Sequence, residues 1–151
     1  MFAVARRRLL ALLAASLAGA GLPRRASAQE DPFAALLRDM TGGVRVTPGR
    51  VVIETPILAD NGHSVPMRLR VDSPMSLTDR VRSIVLLSEK NPRPVIARFH
   101  FGAAAGRAEV TTRVRLNGTQ RLLAVAALAD GTYWSGEASV IVTESACLDE
   151  S

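Results

Sequence analysis

Only one cysteine, Cys147, occurs in the 151 residues, so no disulfide can close within the chain. A fold of this length must then rest on apolar burial rather than on covalent staples. Histidine is nearly as scarce, with His63 and His100 alone. Two histidines and a cysteine match a blue-copper ligand set in number. In such sites, however, the cysteine is closely followed by a histidine, and here Leu148, Asp149, Glu150 and Ser151 follow it. No metal is expected; His63 reads as a turn position and His100 as a surface strand position. There is no Gly-x-Ser-x-Gly elbow, no P-loop and no dinucleotide fingerprint, and "GAAAG" at 102–106 is a small-residue turn. A thiol hydrolase needs a histidine held against its cysteine by a third group. A chain terminus is a poor place to hold one, so no catalytic residue and no cofactor are expected.

The N-terminal apolar run, Leu9 to Leu22, is 14 residues, against about 20 needed for a membrane-spanning helix. It follows Arg6, Arg7 and Arg8 and precedes "ASA", the three-part pattern of a cleaved secretory signal. Cleavage is expected after Ala28, making 1–28 a signal peptide and leaving no stable membrane anchor. "RRRLL" also fits a twin-arginine signal, which is expected in preference to ordinary Sec export. The charge balance shifts with it. The chain carries 19 basic and 14 acidic residues. Five of the basic ones (Arg6, Arg7, Arg8, Arg24, Arg25) lie in the signal, so 14 remain against 14 acids. The basic excess belongs to the removed segment and gives no support to nucleic-acid binding.

Beyond the signal, "DPFAALLRDMTGG" predicts a short helix. Asp31 can cap it, Pro32 suits its first turn, and Gly42 or Gly43 can stop it. Phe33, Leu36, Leu37 and Met40 make one apolar stripe, to be laid on the same domain or on a partner. The period then changes to two. Val51–Thr55, Val65–Val71, Val95–Phe101, Ala108–Leu116, "RLLAVAALA" and "YWSGEASVIVT" alternate or run apolar as strands do. "SIVLLSE" is continuous, as for a strand covered on both faces. Trp134, Ala138, Val140 and Val142 share a face, with Trp134 either a core anchor or an interface residue. Asn61-Gly62, Asn117-Gly118 and Asp130-Gly131 are expected to form tight hairpin turns, which also accounts for the glycosylation-like Asn117-Gly118-Thr119. About seven strands without helical periods between them predict an all-β, immunoglobulin-like antiparallel β-sandwich over 29–143. A flexible C-terminal tail, 144–151, carries Cys147. A lone thiol there is an incidental group, an intermolecular disulfide partner, or a covalent handle that enters another protein's pocket.

Longer segments carry a resemblance. "VDSPM" at 71–75, "EKNPRPVIARFHFGAAAGRAEVTTRVRL" at 89–116, "QRLLAVAALADGTYWSGEASVIVT" at 120–143 and the C-terminal cysteine look like the SoxY family. SoxY is the sulfur-compound carrier subunit of the bacterial periplasmic thiosulfate-oxidising (Sox) system. The resemblance implies an immunoglobulin-like sandwich that forms a heterodimer with a SoxZ-like subunit and is exported folded to the periplasm. It implies Cys147 as the covalent attachment site for sulfur intermediates. A c-type cytochrome would load it, a hydrolase would release sulfate, and a sulfane dehydrogenase would oxidise what remains, the carrier itself being no enzyme. The family's familiar tail is Gly-Gly-Cys-Gly-Gly. Here Ser145-Ala146-Cys147-Leu148-Asp149-Glu150-Ser151 replaces it, which makes the arm bulkier and stiffer. After Arg121 no Lys or Arg occurs, while Asp130, Glu137, Glu144, Asp149 and Glu150 do. Anions near a thiol disfavour the thiolate, so a basic partner pocket is expected to neutralise the arm before loading.

Overall fold

The computed structural model describes residues 31–144. The expected signal at 1–28 and everything from Ser145 onward, Cys147 included, lie outside the described residues. The order is α1 (Ala34–Thr41), β1 (Val46–Pro48), β2 (Val51–Glu54), β3 (Leu58–Asn61), β4 (Val65–Val71), β5 (Val81–Ser88), β6 (Val95–His100), β7 (Glu109–Val114), β8 (Gln120–Leu128) and β9 (Tyr133–Glu144). Two sheets face each other: β1-β9-β8-β5-β6, with β3 also on β9, and β2-β4-β7.

Each expected strand run forms a strand, and two short ones join them. β1 and β3 pair with β9 in parallel, at its beginning (Val46↔Tyr133) and its end (Leu58↔Ile141). They are the parallel exceptions in an otherwise antiparallel sandwich.

Alternation in β4 is strict, with Val65, Met67, Leu69 and Val71 buried and Pro66, Arg68 and Arg70 outside. Those four meet Ile84, Leu86, Leu122, Ala124, Ala126 and Val140 of the larger sheet in the main core. β5 and β8 are covered on both faces, as the continuous run in β5 implied. Their outward residues Val85, Leu87, Leu123 and Val125 form a second cluster capped by Phe33 of the helix segment. The stripe Leu36, Leu37 and Met40 packs there too, so the helix lies on its own domain. Arg121 fastens its start: the guanidinium stacks over the Phe33 ring at 5.0 Å and pairs with Asp31 (2.6 Å) and Glu137 (3.4 Å).

The helix ends as expected, with Gly42 at φ 63°, but it begins differently. Phe33 takes the N-cap position without a side-chain cap. Asp31 acts earlier, accepting the Phe33 N–H at 3.2 Å through Oδ1. The glycine turns also divide. Asp130-Gly131 closes a true hairpin between β8 and β9, with Gly131 at φ 85°. Gly118, at φ 79°, joins β7 to β8, which belong to different sheets. Gly62 is buried and is not among the residues with positive φ; β3 pairs with β9 rather than β4, so Asn61-Gly62 makes no hairpin. The dipeptide makes a sharp turn cheap but does not choose which strands it connects.

One glycine is required by close approach. Between β1 and β3, β2 crosses β9 at Gly136, where a Cβ would lie 2.0 Å from the Val51 carbonyl oxygen. Backbone cannot yield as a flexible side chain can, so Gly136→Ala should destabilise by about 3 kcal/mol, the upper range of overpacking. Gly102→Ala, with nothing within 4 Å of the added Cβ, should stay within about 0.5 kcal/mol of the parent. Urea midpoints of both variants test the pair, and equal midpoints would refute the crossing. Phe33 is 1% exposed. Phe33→Ala should cost about 3–5 kcal/mol and uncover Val85 and Leu123, read as new binding of a hydrophobic dye at a denaturant concentration where the parent binds none.

Candidate functional site

The expected site is the thiol of Cys147, three residues beyond Glu144. What the structure describes is the root from which that arm leaves. β9 is twelve residues long and is held through its last residue. On one edge Asn61 pairs with Glu144, and the Gly62 N–H donates to the Glu144 carbonyl at 2.7 Å. The Thr143 hydroxyl donates to the Asp60 carbonyl. On the other edge Thr119 Oγ1 accepts the Val142 N–H at 3.0 Å. These bonds leave little slack before residue 145.

A polar network stiffens the same end of the sandwich. Gln120 is 4% exposed and pairs with Val140 across the ladder. Its Oε1 accepts from the Ser88 hydroxyl and, at 3.1 Å, from the Lys90 N–H. Its Nε2 donates to Asn91 Oδ1 (3.2 Å) and to the Gly118 carbonyl (3.3 Å). Asn91 in turn donates to the Arg115 carbonyl at 2.8 Å and accepts the Asn117 N–H at 2.9 Å. The β5–β6 loop and the β7–β8 crossing are thus locked together beside the arm's root. No buried side-chain polar atom among the described residues is left unpartnered, and a satisfied buried network of this kind rigidifies its surroundings.

The acidic tally over residues 130–151 is corrected by position. Asp130 sits in the β8–β9 hairpin, at the opposite end of β9 from the arm. There the Thr132 hydroxyl and amide hold its carboxyl below the usual range. Glu137 is paired with Arg121. Of the described acids, Glu144 and Asp60 are the ones beside the root.

Both histidines stand where the sequence placed them. His63 follows β3 in a turn, its N–H bonded to Asn61 Oδ1 at 3.2 Å, and His100 ends β6 on the surface. Among the described residues no group of three His, Cys, Asp or Glu side chains could hold a metal ion. No described helix is long and apolar enough to cross a membrane. Trp134 is half-buried against the main core, with the Arg50 guanidinium 5.3 Å above its ring. Sequence reasoning missed a group of basic side chains, Arg80, Arg82, Arg98 and His100, which line one cleft on the outer face of the larger sheet. Only the strand register brings them together.

No curated protein matches the sequence. Among solved structures, the chain is similar to the sulfur carrier protein SoxY from Chlorobium limicola f thiosulfatophilum. That match has 22% identity and a TM-score of 0.61, covering 72% of this chain and 89% of the other. It is also similar to a superoxide reductase (neelaredoxin) from Ignicoccus hospitalis, with 20% identity, a TM-score of 0.55 and coverage of 62% and 80%. A third likeness is to a superoxide reductase from Nanoarchaeum equitans, with 15% identity, a TM-score of 0.54 and coverage of 64% and 100%. At these identities the likenesses establish a shared fold and carry no chemistry with them. The family comes from the sequence itself, because residues 37–147 match the pattern of the sulfur oxidation protein SoxY, from the middle of the helix through the whole sandwich to the cysteine. This chain belongs to the SoxY family.

Proposed function

We propose that this protein is a periplasmic carrier that holds sulfur intermediates covalently on Cys147 and presents them to partner enzymes, catalysing none of the steps itself. The observation that carries the reading is where the family match stops. It continues past the last residue of β9 and ends at residue 147, the chain's one cysteine. A thiol three residues beyond a pinned strand end reaches roughly 10 Å at about 3.3 Å per residue, enough to enter a pocket while the sandwich stays outside.

The chemistry follows from the thiolate. An S–S bond forms between Cys147 Sγ and the outer sulfur of thiosulfate. The two electrons released pass to a c-type cytochrome, leaving a cysteine S-thiosulfonate. A hydrolase then breaks the bond between the sulfane sulfur and the sulfonate. Water supplies the added oxygen, sulfate and two protons leave, and a persulfide anion stays on the arm. A sulfane dehydrogenase oxidises that outer sulfur with water as oxygen source and takes up the electrons. Every step happens in a partner's pocket, and the carrier contributes one nucleophile, a short reach and a fixed base. A SoxZ-like subunit completes the heterodimer, and export follows a cleaved signal, by the twin-arginine route.

Intact mass spectrometry of protein recovered from thiosulfate-grown cells tests the reading. The mature chain should begin at Gln29 and carry adducts that reductant removes and that Cys147→Ser abolishes. A shift equal to another polypeptide would instead make the thiol a structural crosslink, and an unmodified thiol would end the proposal. The charge on the arm gives a second test. Asp149, Glu150 and Glu144 surround the thiol in sequence and favour its protonated form, so loading should rely on a basic pocket and slow as salt rises. Asp149→Asn/Glu150→Gln should lose most of that salt dependence, measured as the initial rate of loading by the conjugating cytochrome; an unchanged salt profile would remove the electrostatic account.

A further inference from the structure

The outer face of the larger sheet changes character beyond the helix. Toward one end, Val85, Leu87, Leu123 and Val125 lie under Phe33 and its neighbours. The next row across the sheet is His100↔Ser83↔Ala127↔Tyr133. Its two middle members are small, so they form a low floor between an imidazole on one side and a phenol on the other. Arg98 stands beside His100 on the same face, since it pairs with Val85. The β5–β8 register slips between Val81 and Ser83, leaving Arg82 as the extra residue of a bulge, and bulges re-aim side chains. Arg82 joins Arg80 and Arg98 in lining the resulting cleft, with Met40 forming the wall on the helix side. Its volume is about 350 Å³, near the lower end of small-molecule sites.

The chemistry of the lining is one-sided. Three guanidinium groups, an imidazole and a phenol surround the floor, and no carboxylate does. Of the acids next to lining residues, Asp79 pairs with Arg50 at 2.8 Å and Asp39, beside Met40, is exposed and outside the lining; Asp130, in the hairpin before Tyr133, accepts from the Thr132 hydroxyl at 2.7 Å. Arg50, Arg68 and Arg121 all have carboxylate partners. Among the described residues, none of Arg80, Arg82 and Arg98 is found in an ion pair. Like charges gathered over a small-residue floor repel one another unless an anion sits between them, and planar guanidinium groups suit an oxyanion by paired N–H donation.

We propose that this cleft binds a small divalent oxyanion of the sulfate and thiosulfate class. The protein's own acidic arm is excluded as the occupant. Tyr133 and Glu144 stand at opposite ends of β9, eleven residues apart, a separation of about 36 Å at about 3.3 Å per residue. Asp149 and Glu150, five and six residues past Glu144, reach at most about 21 Å from it when fully extended. The anion comes from solution, and the site stands independently of what Cys147 carries.

The test is a titration of the mature chain followed by amide NMR shifts, with sodium sulfate and sodium thiosulfate each added at constant ionic strength held by sodium chloride. A Cys147→Ser chain run in parallel keeps chemistry at the thiol from reading as binding. Both anions should give saturable shifts centred on Ser83, Phe101, Ala127 and Tyr133. Arg82→Gln/Arg98→Gln, both exposed positions, should weaken binding by at least about tenfold through the loss of charge-assisted hydrogen bonds, with the rest of the spectrum unchanged. Arg93→Gln/Arg115→Gln, on a different cleft, should bind as the parent does. Shifts that follow ionic strength alone, or equal binding by the Arg82/Arg98 variant, would overturn the site. So would shifts produced by a synthetic 143–151 peptide and by neither inorganic anion, since the cleft would then hold the arm of a second copy.

Discussion

Apolar side chains on both faces of β5 and β8 set the terms for the rest of the molecule. One face builds the interior of the sandwich, as in any two-sheet fold. The other carries Val85, Leu87, Leu123 and Val125, and each large aliphatic left in water would forfeit about 1.5–3 kcal/mol. With no disulfide possible, that surface must be covered by the chain itself, and the eight-residue helix is the cover. So short a helix has little stability of its own. It persists because Phe33 is buried beneath it and because Arg121 holds its first turn by stacking and by its pair with Asp31. The helix is a consequence of the sheet rather than an independent element.

The same dependence explains which features could be read from residues alone. The strict alternation of β4 and the unbroken run of β5 each report a burial pattern that local sequence encodes directly. The helix stripe reports its own buried face. β1 and β3 gave no comparable signal: at three and four residues they are strands because β9 offers them free edges, and that offer is made by residues about ninety positions away. Gly136 was equally silent, since its need arises from the Val51 carbonyl and not from any turn it makes. The Asn-Gly pairs were read correctly as breaks and incorrectly, at Asn61 and Asn117, as hairpins. The basic cleft was invisible for the plainest reason. Arg82, Arg98 and His100 occupy exposed positions in β5 and β6, where single charges need no explanation, and only register and a bulge turn them into neighbours.

A carrier arm gains from a rigid root. If the last ordered residue were loosely held, the thiol would sample a large volume and its effective concentration at a docked pocket would fall. β9 avoids this by being bonded on both edges to its final residues, with β3 and Gly62 on one side and Thr119 on the other, and the Gln120–Asn91 network beneath. A pinned strand end of this kind fixes the point from which residue 145 continues.

Charge is divided along β9 in a way that constrains any coupling between its ends. Glu144 and Asp60 flank the arm's root, while Arg80, Arg82 and Arg98 gather near Tyr133 at the far end. The separation of about 36 Å is several Debye lengths, about 8 Å each at physiological ionic strength. At that distance the basic cleft is screened from Glu144 and Asp60 at the end of β9, and an anion held there does not offset their charge. Whatever an occupied cleft does for the carrier must travel by another route. One such route is mechanical: His100, Ser83, Ala127 and Tyr133 lie on four adjacent strands, and an anion bridging them would tighten the sheet from which the arm's own strand extends. The other is steric, through a partner broad enough to touch both ends at once. Either would make an occupied cleft an influence on how the sandwich docks.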